Sequence, residues 1–222
     1  MKFRRIVIKI GSSTLTAGSK QISPAHMLDL VREVCILVRG GAEVVLVSSG
    51  AIAAGRETLG FPELPRLVPA KQMLAAIGQP RLMAIYEQFF GIYDVKVAQV
   101  LLTRSDLTDR RRYLNARNTL DALVSQRVIP IINENDTVAT EEIRFGDNDN
   151  LSAQVANLIE ADLLVLLTDQ EGLYTTDPRQ NPQAELVREI NTPEIPKEIW
   201  VSAGDTANGI GTGGMLTKLQ AA

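Results

Sequence analysis

Five short runs of valine, isoleucine and leucine recur along the chain, and amphipathic stretches separate them. The runs alternate little between apolar and polar residues, as is typical of parallel strands covered by helices on both faces. The pattern therefore predicts an α/β fold with a mainly parallel sheet. The predicted strands are Arg5–Ile10, Glu43–Val47, Val95–Leu102, Val128–Ile132 and Leu163–Leu167.

Two amphipathic stretches carry helix signals. Ser23 followed by Pro24 is typical of a helix start, and apolar residues recur at helical spacing beyond them. Cys35 falls on that apolar stripe and is predicted to lie in the core, whereas His26 falls off it and is predicted to lie on the surface. The second helix, Ala70–Phe90, contains Pro80, which lacks a backbone N–H, so a break or kink is expected near Gly78-Gln79.

Composition excludes several classes of protein. The chain has 222 residues, a net charge of -3, one cysteine and one histidine. An internal disulfide and any mechanism that needs two histidines are therefore excluded, and the charge balance favours neither nucleic acid nor an anionic membrane. No apolar run approaches the ~20 residues of a membrane span. We expect a cytoplasmic protein, because the basic start Met1–Arg5 leads into too few apolar residues for a signal peptide. We expect a single domain, because the sequence shows neither an internal repeat nor a linker.

Small and polar residues follow the first two predicted strands. A lysine in a buried strand is costly unless its ammonium group reaches a partner, and the turn Gly11–Ser13 after Lys9 offers backbone N–H groups to an anion. The alternative is a lysine that extends to the sheet edge. The segment Ser48–Ala51 could turn into a helix whose first amides bind a carboxylate or phosphate. It could equally need small residues for packing alone.

A dense polar block, Asn133–Asp136, follows the fourth strand and continues in Gly146–Asn150. Acidic residues at this density repel one another unless cations or hydrogen-bond donors lie among them. Asp149 or Asn150 could cap the next helix, but capping does not explain both halves of the block. Amides together with carboxylates suit an amino acid ligand, whose ammonium group would meet aspartate and whose carboxylate would meet asparagine.

Two further turns are ambiguous on their own. The segment Gly209–Gly214 has the spacing of a dinucleotide-binding loop, but no apolar strand precedes it and no acidic residue can follow about 20 positions later. A redox enzyme is therefore the least favoured class. A glycine-rich loop before the predicted helix start Met215–Lys218 still suits phosphates. Thr168-Asp169 could form the edge of a nucleotide site or an ordinary turn.

The ordered set of motifs resembles the amino acid kinase family, in the branch that phosphorylates glutamate. The resemblance extends from Lys9 to Lys218 and implies a three-layer α/β/α sandwich around a mainly parallel sheet. It rests on the following segments: Lys9–Ser13, Ser48–Ala51, Asn133–Asp136, Gly146–Asn150, Leu167–Tyr174 and Gly211–Lys218.

The resemblance implies ATP-dependent phosphorylation of the γ-carboxylate of L-glutamate, the first step of proline biosynthesis. The implied cofactors are ATP and Mg²⁺, with the metal bound mainly through the ATP phosphates and no residue of the chain predicted as a metal ligand. The implied partners are L-glutamate, proline as a feedback inhibitor, further copies of the chain in a dimer or tetramer, and glutamyl phosphate reductase. The alternatives are another carboxylate or carbamate kinase of the family and a non-catalytic fragment that binds glutamate or proline.

Site residues follow from the resemblance, position by position. Lys9 and Lys218 would hold the transferring phosphoryl group, and Asp149 would orient both lysines. The implied glutamate-binding residues are Ser49, Gly50, Ala51, Asn133, Asp136, Asp147 and Asn148. The implied ATP-binding residues are Lys9, Gly11, Ser12, Thr168, Asp169, Thr212, Gly213, Gly214, Met215, Leu216, Thr217 and Lys218.

One departure from the family concerns the C-terminal end. Family members continue beyond the glycine-rich loop with a full helix and further strands, and many bacterial members add a PUA domain. Here four residues follow Lys218, against an average helix of about 11–12 residues. The expectation is a single kinase domain over residues 1–222, truncated on its nucleotide side and without the PUA domain.

Overall fold

The computed structural model describes residues 2–65, 67–139, 147–178, 181–191, 200 and 215–222. Its centre is a parallel sheet of five strands in the order β3-β4-β2-β1-β5. All five predicted strands are confirmed, with ends that differ by at most two residues. The strands are β1 Arg5–Ile10, β2 Glu43–Ser48, β3 Lys96–Leu102, β4 Val128–Glu134 and β5 Leu163–Leu166.

Helices connect the strands and cover the sheet. A small antiparallel pair, β6 Leu173–Tyr174 and β7 Leu186–Val187, follows β5. No helix in the described ranges is both long enough and apolar enough to span a membrane. The described helices are α1 Ser12–Thr16, α2 Pro24–Arg39, α3 Ala51–Thr58, α4 Val68–Gly91, α5 Arg104–Thr108, α6 Arg110–Ser125, α7 Asp147–Leu158 and α8 Met215–Ala221.

The core consists of two apolar clusters on opposite faces of the sheet. Successive strand residues point to opposite faces, so Ile6 and Ile8 of β1 pack in one cluster with residues of α2 and α4. Val7 packs in the other cluster with residues of α6 and α7. The predicted α/β sandwich with helices on both faces is confirmed, and the alternation determines which helix each strand residue meets.

The start of α2 also agrees with the sequence prediction. Ser23 is the N-cap residue, and its hydroxyl oxygen accepts a hydrogen bond from the backbone N–H of His26 at 3.3 Å. Cys35 is buried, with 1% of its surface exposed, and His26 is exposed. Periodicity places these two residues correctly because α2 packs against the sheet along a single apolar stripe.

The predicted break at Pro80 is wrong, whereas a kink there stays a prediction. A single helix, α4, extends from Val68 to Gly91 with Pro80 in its interior. Proline removes one backbone hydrogen bond, but tertiary packing opposes a break, because α4 buries Leu82 and Tyr86 completely. Most helical stability in proteins comes from such packing rather than from local propensity.

Glycines bring α3 and α4 unusually close together. A Cβ atom on Gly78 of α4 would overlap the carbonyl group of Ala51 in α3, and one on Gly55 of α3 would overlap the carbonyl group of Leu74 in α4. The two helices therefore pack backbone against backbone at these points. This contact fixes the position of the residue after Gly78, which is Gln79.

We expect Gly78→Ala to lower the free energy of unfolding by about 2 kcal/mol, because overpacking outweighs the higher helix propensity of alanine. Gly91→Ala is the matched control in the same helix, since nothing lies within 4 Å of its added Cβ. The control is expected to be neutral or slightly stabilising. Urea unfolding of both variants measures the difference, and equal stabilities would contradict the close packing of α3 and α4.

Candidate active site

Predicted site residues from four strands lie at one edge of the sheet in the part of the chain that the structure describes. The five strands are parallel, so their carboxyl ends lie on the same side. Across that edge, Asn133 lies on β4, Ser49 follows β2, Lys9 lies near the end of β1 and Thr168 follows β5. This carboxyl edge is where open α/β sheets bind their ligands.

A buried carboxylate joins the two predicted catalytic lysines. Lys9 Nζ lies 2.6 Å from Asp149 Oδ1, and Lys218 Nζ lies 3.3 Å from Asp149 Oδ2. The Thr217 hydroxyl also donates to Asp149 Oδ2, at 2.7 Å. Lys9 reaches Asp149 because it points to the same sheet face as Val7, the face that α7 covers. Lysines that are 209 positions apart in sequence thus meet on one side chain.

Burial and neighbouring charges of opposite sign shift the pKa values of Asp149 and Lys9 in contrary directions. Burial acts to raise the pKa of Asp149, whose side chain is fully buried, but Lys9 and Lys218 outweigh it and hold that pKa below its ordinary value. Burial lowers the pKa of Lys9, an effect that Asp149 partly offsets and that the charge of Lys218 reinforces. With both lysines protonated, the three groups carry a net formal charge of one positive unit, which suits an anionic group bound beside them.

The space beside Gly11 is lined by an ammonium group and two hydroxyl groups. A Cβ on Gly11 would lie 3.4 Å from Lys9 Nζ, 3.7 Å from Ser13 Oγ and 3.9 Å from Thr14 Oγ1. Thr14 Oγ1 is buried and has no hydrogen-bond partner within the described part of the chain. An anion bound beside Gly11 would lie close to these three polar groups. Thr14 was missed from sequence, although it extends the polar run after Gly11.

Hydrogen bonds join three of the predicted amino acid-binding residues. Asn148 Nδ2 donates to Ser49 Oγ at 2.8 Å and to Asn133 Oδ1 at 3.1 Å. Asn148 Oδ1 is buried without a partner among the residues that the structure describes. Asn148 directly precedes Asp149, so this amide cluster begins one residue from the lysine-bound carboxylate.

The other predicted amino acid-binding residues lie around this amide cluster. Gly50 is the N-cap of α3 and has a φ of 106°, and a Cβ there would lie 2.7 Å from Leu15. Ala51 is buried at the first position of α3. Asp136 lies in the turn after β4, where burial raises the pKa of its carboxyl group. The side chain of Asp147 lies outside the described residues.

The predicted ATP-binding residues are only partly described. Ser12 begins α1 directly after Gly11. Thr168 Oγ1 donates to Asp169 Oδ1 at 3.2 Å in the turn after β5. Met215 and Leu216 form the start of α8, the helix that brings Thr217 and Lys218 to Asp149. Thr212, Gly213 and Gly214 lie outside the described residues.

Gln79 of α4 is a second residue that sequence reasoning missed. It is 8% exposed, and its Oε1 accepts a hydrogen bond from Asn133 Nδ2 at 2.9 Å. The signal was present in the sequence, since Gln79 lies four residues after Ala75 and three before Leu82, both buried. A polar residue on the apolar stripe of a helix indicates a buried polar partner.

Residues 4–222 match the model of the amino acid kinase family. The chain belongs to this family. Family members with high similarity include the glutamate 5-kinase of Shewanella sediminis (strain HAW-EB3), 57% identical over 220 residues that make up 99% of this chain and 59% of that protein. The glutamate 5-kinase of Yersinia enterocolitica serotype O:8 is 57% identical over 217 residues, 98% of this chain and 59% of that protein.

The family assignment agrees with the resemblance found in the motifs and with the parallel α/β sandwich. A third relative, the glutamate 5-kinase of Shewanella oneidensis, is 56% identical over 99% of this chain and 59% of its own length. The chain therefore spans about three fifths of the length of these curated relatives.

Proposed function

We propose that this chain transfers the γ-phosphoryl group of ATP to the γ-carboxylate of L-glutamate. The observation that carries the proposal is the adjacency of two clusters on α7. Asp149 binds Lys9 and Lys218, and the preceding Asn148 binds Ser49 and Asn133. A cationic phosphoryl site and an amide-lined amino acid site are thus one residue apart. The similarity to glutamate 5-kinases over nearly the whole chain supports the same reaction.

In the proposed reaction, a γ-carboxylate oxygen of glutamate attacks the γ-phosphorus of ATP. The new O–P bond forms as the bond to the ADP oxygen breaks, giving γ-glutamyl phosphate and ADP. Carboxylate and phosphate repel each other, so the ammonium groups of Lys9 and Lys218 neutralise charge on the transferring group while Asp149 holds both in place. Alignment of the two reactants can lower the barrier by roughly 7–11 kcal/mol.

Glutamate would lie between the turn after β2 and the polar block after β4. We assign its γ-carboxylate to Ser49 and the backbone of Gly50 and Ala51, at the N-terminus of α3. Its amino acid end would contact the polar block through Asn133, Asp136, Asp147 and Asn148. ATP would lie on the β1–β5 side, with its phosphates beside Gly11 and Ser12 and its remainder along Thr168, Asp169 and the segment 212–218.

The donor set around Gly11 fits phosphate oxygens, because it combines the Lys9 ammonium group with the Ser13 and Thr14 hydroxyl groups. We propose that Mg²⁺ binds with ATP through phosphate oxygens, where it neutralises part of their charge. Within the described residues, no three acidic, histidine or cysteine side chains lie close enough together to hold a metal ion. We propose no protein ligand for the ion, because Mg²⁺ usually keeps several waters and binds through substrate phosphates.

Further partners belong to the same proposal. Proline shares the α-carboxylate and the cationic nitrogen of glutamate, so it is proposed as an inhibitor at the amino acid end of the site. The acyl phosphate product reacts with water, which favours direct use by glutamyl phosphate reductase. We also propose a cytoplasmic location and a homodimer or homotetramer, as the family resemblance implies.

ADP release with a panel of acceptors tests the proposed reaction. We expect glutamate to stimulate ADP release at least about tenfold more than aspartate, acetylglutamate or carbamate, because acceptor length and the free ammonium group must match the site. Faster release with carbamate or acetylglutamate would identify another activity of the family. Calorimetric binding of glutamate without binding of ATP would instead identify an amino acid-binding fragment.

A further inference from the structure

Gln79 of α4 forms hydrogen bonds to two strands of the sheet, and one of these bonds reaches the candidate site. Its Nε2 donates to Gln99 Oε1 of β3 at 3.1 Å, and its Oε1 accepts from Asn133 Nδ2 of β4 at 2.9 Å. Gln79 and Asn133 are both buried, with 8% and 3% of their surfaces exposed. A buried amide is costly unless both of its ends are hydrogen-bonded. Gln79 meets this condition by joining two neighbouring strands of the sheet.

A backbone group sets the direction of this chain of amides. The N–H of Glu134 donates to Asn133 Oδ1 at 2.9 Å, and a backbone N–H acts only as a donor. Asn133 must therefore direct its Nδ2 toward Gln79, and Gln79 must accept this hydrogen bond through its Oε1. Without Gln79, Asn133 Nδ2 would lose its buried acceptor, and the Glu134 N–H would oppose rotation of the amide without that support.

The direction continues to Asn148. Asn133 Oδ1 accepts from Asn148 Nδ2, which also lies 2.8 Å from Ser49 Oγ. With Nδ2 committed to these two oxygens, Asn148 Oδ1 is left as a buried acceptor without a partner among the described residues. A ligand ammonium group would supply the missing donor. If the side-chain amide of Asn133 were flipped, the amide of Asn148 would flip with it. Asn148 would then direct its NH₂ group, a donor, at the ammonium group of the ligand.

We infer that Gln79 is a positioning residue for the ammonium group of the amino acid substrate. It acts through Asn133, and its effect is to keep Asn148 Oδ1 available as an acceptor. The inference rests on the proposed function, since it requires an amino acid at the amide cluster. It assigns discrimination between amino acids and plain dicarboxylates to a residue that does not itself contact the ligand.

Gln79→Met tests this role, because methionine fills a similar volume without the amide. By calorimetry, we expect the Kd for glutamate to rise about tenfold, as for loss of one buried hydrogen-bonded group. The Kd for glutarate, which has the same two carboxylates and no amino group, should change by less than about twofold, as should the Kd for ATP. Gln88→Met, at an exposed position of the same helix, is the matched control and should leave all three constants unchanged.

The outcomes separate the inference from the proposed function. Failure of the parent chain to bind glutamate would overturn both. Normal glutamate binding by Gln79→Met, or equal losses for glutamate and glutarate, would overturn the inference alone. If Gln79→Met does not fold, Gln79→Glu is the variant that tests the inference, because its carboxylate can still accept the hydrogen bond from Asn133 Nδ2. It should keep the preference for glutamate over glutarate to within about threefold of the parent, and loss of that preference with intact ATP binding would contradict the role.

Discussion

Replacement of Lys9 by alanine should lower kcat for glutamate-dependent ADP release about 10²–10³-fold, as for loss of one preorganised donor to the transition state. The ammonium group of Lys9 lies beside Gly11 and is held by Asp149 at 2.6 Å. Because the role proposed for it is to stabilise charge on the transferring phosphoryl group, the KM for glutamate should change much less than kcat. Initial rates over a range of glutamate concentrations separate the two constants.

Lys96→Ala is the matched control for Lys9→Ala, since Lys96 is an exposed lysine on β3 of the same sheet. Its kcat should stay within about twofold of the parent. If the Lys9→Ala protein is folded and its kcat is within a few-fold of the parent value, Lys9 does not have the assigned role. Circular dichroism of both variants confirms that the comparison concerns folded protein.

Asp149→Asn should impair both activity and stability. The neutral amide can accept a hydrogen bond from one lysine but presents its NH₂ group to the other, so two ammonium groups are left without their shared carboxylate. Removal of one partner from a buried ion pair lowers the free energy of unfolding by about 3–5 kcal/mol. We expect about 3 kcal/mol here, together with a fall in kcat of about 10²-fold because the lysines lose their orientation.

The dependence of stability on pH provides an independent readout. The folded-state pKa of Asp149 is lowered, so its contribution is present above the ordinary aspartate pKa of about 3.9 and is lost as pH falls through the folded value. The parent should therefore lose more stability than Asp149→Asn between about pH 5 and pH 3. Urea unfolding at several pH values measures this loss, and parallel curves would argue against a lysine-bound carboxylate.

Asp109→Asn provides the control for the change from carboxylate to amide. Asp109 is the N-cap of α6, where its side chain accepts from the backbone N–H of Arg112 at 2.9 Å. Asparagine caps helices about as well as aspartate, so the free energy of unfolding should change by less than about 0.5 kcal/mol. A large loss in this control would mean that the effect at position 149 is not specific to the lysine pair.

Most of the fold could be predicted from the sequence because strand and helix signals are local. A buried parallel strand reads as a run of valine, isoleucine and leucine, and all five such runs are strands of the sheet. The break predicted at Pro80 is wrong because the interactions that oppose it are not local. The backbone cost of proline is local, but the burial of Leu82 and Tyr86 that compensates for it arises only when α4 packs on the sheet.

The family resemblance implied a set of candidate site residues and the pairing of Asp149 with two lysines, but not the other contacts among them. Lys9 and Lys218 both contact the carboxylate of Asp149. Thr14 and Gln79 were missed because neither belongs to a recognised motif. Thr14 stands out because its buried hydroxyl group has no partner among the described residues. Gln79 stands out because its amide joins two neighbouring strands. Such relations are set by packing and have no fixed spacing in sequence.

The sequence by itself determined the five strands and the chemistry available at their carboxyl ends, because hydrophobic periodicity and residue type depend only on neighbours along the chain. Only the tertiary structure decided which groups touch. The strand order places β1 beside β5 and β2 beside β4. The alternation of side chains along a strand directs Lys9 toward α7 and Asn133 toward α4. The close glycine contacts between α3 and α4 fix the position of Gln79 relative to the sheet. These contacts depend on the position of whole elements, and no local pattern of residues encodes that position.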